Sequence, residues 1–198
     1  MSRKAETTLK SYEEDILEQA LFFENKVKVN PTFLNVRNTI IEYMETTSKE
    51  FDLHNQTFFI SVSLLDLVIE KDYQLLLEKN YKFIGLIILW ISSKFEEVYQ
   101  LDLDELIIML GYEYTKKDFI DFESKLLFTV QFQIPRFTMY SLLENYKIRE
   151  PRLNNKSLFN KCLFHLKKKI YEIPKEKDSV ICLKIIRNVL LKNKKFPL

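Results

Sequence analysis

Apolar side chains recur at three- and four-residue spacing along nearly the whole chain, and few segments alternate with the period of two that a strand needs. Residues 11–26 put Tyr12, Ile16, Leu17, Ala20 and Phe23 on one helical face. Pro31 breaks the chain, and Thr32 is placed to cap a long helix that runs to about residue 53, with Leu34, Val36, Ile40, Ile41, Tyr43 and Met44 inside it. Asn55 is the expected N-cap of a third helix reaching Ile69. Next comes the most apolar stretch, 83–91, within a predicted helix over 80–99. A helix that is greasy all round belongs at the centre of a fold, and Gly85 would let a neighbouring helix approach it closely.

A short helix over 102–110 is expected to stop at Gly111, the residue type favoured just past a helix end. Thr115 with Asp118 reads as a capping-box start for a helix that ends near Val130. After Ile134-Pro135 the pattern weakens. It predicts three more helices, over 137–146, 156–171 and 178–191, separated by Glu150-Pro151 and Ile173-Pro174, and a frayed lysine-rich end over 192–195. The reading is therefore all-α, with an N-terminal helix and lead-in over 1–30, a compact five-helix bundle over 31–135 and a smaller helical region over 136–198.

Composition narrows the function classes. A chain of 198 residues that is 46% hydrophobic and 14% aromatic can bury a real core and is not a disordered sequence. The net charge is only +2, and 24 lysines stand against 6 arginines. Arginine is the residue expected where phosphates or base edges are gripped bidentately, so no nucleic-acid partner is expected. The longest apolar run, nine residues, is about half of a bilayer span, and the polar segment 1–10 predicts no secretory leader. Cys162 and Cys182 lack any ligand cluster and read as buried thiols of a reducing compartment.

No phosphate-cradling glycine loop, nucleophile elbow or zinc-protease helix occurs. His54 and His165 stand alone. No catalysis, cofactor or metal is therefore expected. The Lys167-Lys168-Lys169 run reads as a solvated helix face.

One constellation remains. The greasy helix ends in Ser92-Ser93-Lys94-Phe95-Glu96-Glu97, so a buried body carries charged groups to a surface. Downstream, Tyr114-Thr115-Lys116-Lys117-Asp118 opens a helix that bears Phe122-Glu123-Ser124. Here the chain resembles the cyclin box of mitotic (A/B-type) cyclins, in which the same two strings occur in this order, and the resemblance covers about 12–134. It implies a cyclin-box five-helix bundle preceded by an N-terminal helix. The second box common in cyclins has about sixty residues left to it here, so a truncated, degenerate second helical domain is expected.

The resemblance also implies roles. Lys94 and Glu123 match the pair through which cyclins hold the backbone beside the regulatory C helix of a cyclin-dependent kinase. Phe95, Phe132, Ile134, Tyr12 and Ile16 match apolar positions that touch the kinase. Arg37 and Asp66 match an internal ion pair between the first two box helices. Val36, Ile40 and Tyr43 lie where many cyclins hold Arg-x-Leu substrate peptides. Thr39, Tyr43, Thr46 and Lys82 depart from the usual choices there, so docking is expected to be weak or altered. Arg187-Asn188-Val189-Leu190 has the form of a cyclin destruction signal but falls inside a predicted helix.

The function expected is a cyclin-like regulatory subunit of the nucleus or cytoplasm that binds and activates a cyclin-dependent kinase in cell-cycle control, with substrate peptides as further partners. A transcription factor or adaptor on the same fold is the alternative, and the absence of a basic excess speaks against it. A degenerate scaffold without kinase binding is another, and retention of both Lys94 and Glu123 speaks against that.

Overall fold

The computed structural model describes residues 33–172 and 177–192. Every regular element among them is helical. The α-helices are α1 (Leu34–Glu50), α2 (Asn55–Asp72), α3 (Tyr81–Glu96), α4 (Leu103–Met109), α5 (Lys116–Thr129), α6 (Met139–Arg149), α7 (Lys156–Ile170) and α8 (Asp178–Lys192). Two 3-10 turns, Tyr73–Leu77 and Pro151–Asn154, were not expected from the sequence. Chain contacts separate two compact units on either side of the Arg136–Phe137 bond; α1–α5 belong to one and α6–α8 to the other. The lead-in helix expected over 11–26, with Thr32 and the end at 193–195, lies outside the described residues.

In the first unit α3 is the axle. It is buried without interruption from Phe83 to Ser93 and packs chiefly against α1 and α2. A Cβ on Gly85 would come within 3.1 Å of Tyr43 Cδ1 and 3.4 Å of Met44 Cγ, tighter than van der Waals contact for the first. The missing side chain therefore lets α1 cross α3 closely. The Phe83 ring is surrounded by Tyr114, Phe119 and Phe122, with centroids 4.3, 4.8 and 5.4 Å away. That aromatic cluster fixes α5 against α3.

Several helix ends differ from the sequence reading, some through local bonds and one through a distant cap. α1 stops at Glu50, short of residue 53. Asp52 turns left-handed (φ 49°), and the N–H groups of Asp52 and Leu53 donate to the Lys49 and Ser48 carbonyls at 3.3 and 2.9 Å. Asn55 is the first residue of α2, not its cap: His54 occupies that position and makes no side-chain capping bond. The cap comes from Glu97, whose carboxylate accepts the His54 N–H at 2.8 Å and the Thr57 hydroxyl. For the same reason α3 ends at Glu96 rather than near 99: Glu97 turns extended (ψ 147°) to reach α2. α2 itself runs past Ile69 to Asp72, whose carboxylate accepts the Gln74 N–H at 3.0 Å and opens the first 3-10 turn.

Other helix starts lie within a residue of the expected ones. Asn80 accepts the Phe83 N–H at 2.8 Å, and Asp102 accepts those of Asp104 and Glu105. α4 gives way to Gly111 at φ 64°. Thr115 and Asp118 form a full capping box at the start of α5.

In the second unit the expected 137–146 helix is displaced to Met139–Arg149. A reciprocal bond pair between Thr138 and Ser141 sets its start. Asn155 caps α7 by accepting from Ser157 and Leu158. Leu142, Leu143, Leu153, Leu158, Leu166 and Val189 form its core together with both cysteines. Burial pushes the Cys162 thiol up to about 11, so it is an unreactive apolar filler. No helix among the described residues is long and apolar enough to cross a membrane.

Candidate functional site: the ends of α3 and α5

The last turn of α3 leaves the core abruptly. Ser92 and Ser93 are fully buried, with their hydroxyls donating to the Ile88 and Trp90 carbonyls, whereas Lys94 and Phe95 face solvent. Lys94 Nζ forms an ion pair with the Glu123 carboxylate of α5. The same ammonium lies 3.5 Å from the centroid of the Trp90 ring, which is itself braced edge-on by Phe119 at 6.0 Å. The lysine is thus held from below by an indole and from the side by a carboxylate. Its side chain remains 28% exposed and that of Glu123 18%, so both retain hydrogen-bonding capacity toward an incoming group.

Phe95 is 43% exposed, and Arg136 Cζ lies 5.0 Å from its ring centroid. The Arg136 carbonyl accepts from Gln56 Nε2 at 3.1 Å, so the segment after α5 is pinned beside the end of α3. Along that segment Ile134 is half-buried and Phe132 is 61% exposed. Gln131 and Phe132 are both left-handed (φ 53° and 57°). The Phe132 N–H donates to the Leu127 carbonyl at 2.8 Å and that of Gln131 to Phe128 at 3.0 Å, closing α5. A phenylalanine in this region of backbone space is uncommon and such positions cluster at functional sites. Phe132 packs edge-on with Phe128, centroids 5.3 Å apart, and Phe128 is 70% exposed.

Sequence reasoning overlooked Phe128. Ile120 and Phe128, two turns apart on α5, are both exposed large apolar side chains. It overlooked Glu97 as well, since a carboxylate that caps another helix leaves no local pattern.

Arg37 and Asp66 meet inside the bundle. Arg37 Nε donates to Asp66 Oδ1 at 2.5 Å and Nη2 to Oδ2 at 2.8 Å, joining α1 to α2 by a two-pronged contact. Both residues are buried, at 2% and 8% exposure. Burial pushes the Asp66 carboxyl upward and the guanidinium draws it back down, with a net upward shift.

Of the three expected docking residues, only Val36 and Tyr43 reach solvent. Ile40 is a core side chain at 1% exposure, while Val36 is 41% exposed and Tyr43 half-buried against Tyr81. Thr39 and Thr46 are exposed and return their hydroxyls to the Asn35 and Glu42 carbonyls. Lys82 is exposed too. Tyr12 and Ile16 lie outside the described residues.

An all-α bundle around a buried central helix, with a lysine and a glutamate brought together at its edge, has a counterpart among known proteins. The family model for the cyclin N-terminal domain matches residues 6–135. The chain belongs to the cyclin family. Among its relatives, cyclin-B2-1 of Arabidopsis thaliana is 31% identical over 111 residues, covering 56% of this chain and 25% of the relative. The G2/mitotic-specific cyclin-A of Drosophila melanogaster is 24% identical over 145 residues, covering 69% of this chain and 29% of the relative. The G2/mitotic-specific cyclin-4 of Saccharomyces cerevisiae is 28% identical over 131 residues, covering 62% of this chain and 28% of the relative. The chain thus spans between a quarter and a third of the length of these relatives.

Proposed function

We propose that this cyclin-like regulator binds a cyclin-dependent protein kinase as a heterodimer and activates it, doing no chemistry of its own. The observation that carries this reading is the Lys94–Glu123 pair, presented beside exposed Phe95 from a helix end anchored by Ser92, Ser93 and Glu97. Two opposed charges on neighbouring helices can satisfy the orphan backbone groups at a partner helix end. Phe95, Phe132, Ile134 and the overlooked Phe128 offer apolar contact area around them. Tyr12 and Ile16 would extend that surface.

Activation on this reading is positional. Packing against the kinase's regulatory C helix moves that helix inward, which completes its Lys–Glu ion pair and orders the activation segment. The box that does this is assigned to 31–135, with the rest of the chain as a lead-in helix and a reduced second domain. The G2/mitotic-specific names of two relatives support a role in cell division, and the action is assigned on this reading to the nucleus or cytoplasm.

The experiment is capture of the cyclin-dependent kinases of the source organism on the immobilised full chain, followed by a histone phosphorylation assay. At least one kinase is expected to be retained, with an interface burying above about 1,200 Å² in total, and to gain activity. Failure of every such kinase to bind overturns the proposal.

A further inference from the structure

The second unit carries a groove that the kinase reading does not use. It encloses about 830 Å³ between the end of α6, the Pro151–Asn154 turn and α8. Its apolar lining includes Tyr146, Leu183 and Ile186, and Leu183 stands 50% exposed. Around this floor lie Arg149, Arg152 and Arg187.

That is half of the chain's six arginines, in a protein whose other cations are almost all lysine. Glu150 also lines the groove, but its carboxylate is taken up by Arg152 at 2.6 and 2.8 Å. Arg149 and Arg187 have no ion pair or side-chain hydrogen bond among the described residues. Arg149 sits in the last turn of α6, where a cation complements the helix dipole, but Arg187 lies within α8 and has no such role. Guanidinium forks grip carboxylates bidentately, and a half-open floor of leucine and isoleucine takes up apolar side chains.

We infer that this groove docks an acidic-apolar peptide segment of a partner protein, with leucine-like side chains on its floor and carboxylates on Arg149 and Arg187. The three guanidiniums come from three different elements, α6, the Pro151–Asn154 turn and α8, and such a spread suits several carboxylates along a segment better than one phosphate. This proposal is independent of kinase binding.

The test uses the full chain and a set of short fluorescein-labelled peptides with glutamate and leucine at helical spacing, read by fluorescence polarisation. Micromolar binding by at least one peptide is expected, weakening as salt rises. Arg149→Glu and Arg187→Glu, both exposed, should each lower affinity at least tenfold with the melting temperature unchanged. Leu183→Asp should do the same. No binding by any peptide, equal binding when glutamate is replaced by glutamine, or indifference to all three substitutions overturns the inference. So does a phosphoserine peptide without leucine that binds as tightly as the best acidic-apolar one.

Discussion

Glu97 caps a helix to which it does not belong: one residue past α3, its carboxylate accepts the Thr57 hydroxyl in the first turn of α2. It also takes the His54 N–H, so one side chain ends the central helix and begins its neighbour. Glu97→Ala should lower stability by about 1–2 kcal/mol, the usual cost of a lost N-cap. It should also weaken kinase retention, because the turn bearing Lys94 loses its tether. Chemical denaturation and kinase capture read the two effects. An unchanged denaturation midpoint would show that the contact has no structural weight.

Lys94 and Arg37 both pair with a carboxylate, yet their substitutions should separate. Lys94→Ala or Glu123→Ala removes a partly exposed pair, worth about 0–1 kcal/mol, and should abolish kinase activation with little change in melting. Arg37→Ala or Asp66→Ala leaves a buried charge unpaired and should cost about 3–5 kcal/mol. Matching thermal and binding profiles for the two sets would collapse the distinction between interface and core.

Phe132 holds a left-handed backbone that costs an L-residue about 1–2 kcal/mol relative to glycine. Phe132→Gly relieves that cost and forfeits only an exposed edge-on contact with Phe128. The variant should melt no lower than the wild type while binding kinase more weakly. A clear drop in melting temperature would make Phe132 a structural residue.

Asp118 supplies a pH signature. The Thr115 hydroxyl and backbone N–H hold its carboxyl below the usual range. A depressed folded value means that its stabilising effect is fully present above the ordinary carboxylate pKa of about 3.9, and is lost as pH falls through the folded value. Asp118→Asn should cost about 0.3–1 kcal/mol at neutral pH, as for other anions in a first helical turn. The gap between variant and wild type should close in acid. Denaturation curves from pH 7 down to about 2 check the sign.

Arg-x-Leu peptides should bind poorly. Thr46 and Lys82 leave no carboxylate at those positions to meet the arginine, and a lost charge-assisted hydrogen bond is worth about 1.5–3 kcal/mol. The apolar contact is reduced as well, since Ile40 is enclosed and only Val36 and part of Tyr43 reach solvent. Peptide titration should give affinity weaker than micromolar. Tight binding lost on Val36→Asp would reverse this conclusion; Ile40→Asp cannot test it, because that change disrupts the core.

The sequence made some features legible and hid others. The Thr115–Asp118 box acts on backbone within three residues, so pattern alone exposes it, and the helix starts at Asn80 and Asp102 rest on equally local caps. The N-cap of α2 arrives from forty residues away, and no local signal distinguishes it from the suitable but unused Asn55. The start of α6 drifted because Phe137 extends the apolar pattern, whereas Thr138 and Ser141 hold the bonds that fix the boundary. At the candidate site, the motif around Lys94 and Glu123 was visible. The exposure of Phe128 and the enclosure of Ile40 depend on which way each helix faces, and spacing does not decide that.

The chain holds a single tryptophan, and it is Trp90, directly beneath the Lys94 ammonium. The site therefore has its own optical reporter. Indole emission responds to a cation resting on its face, and no other indole of this chain competes for the signal. A partner that draws Lys94 away, even by an ångström or two, announces its arrival as a change in intrinsic fluorescence from the unlabelled protein.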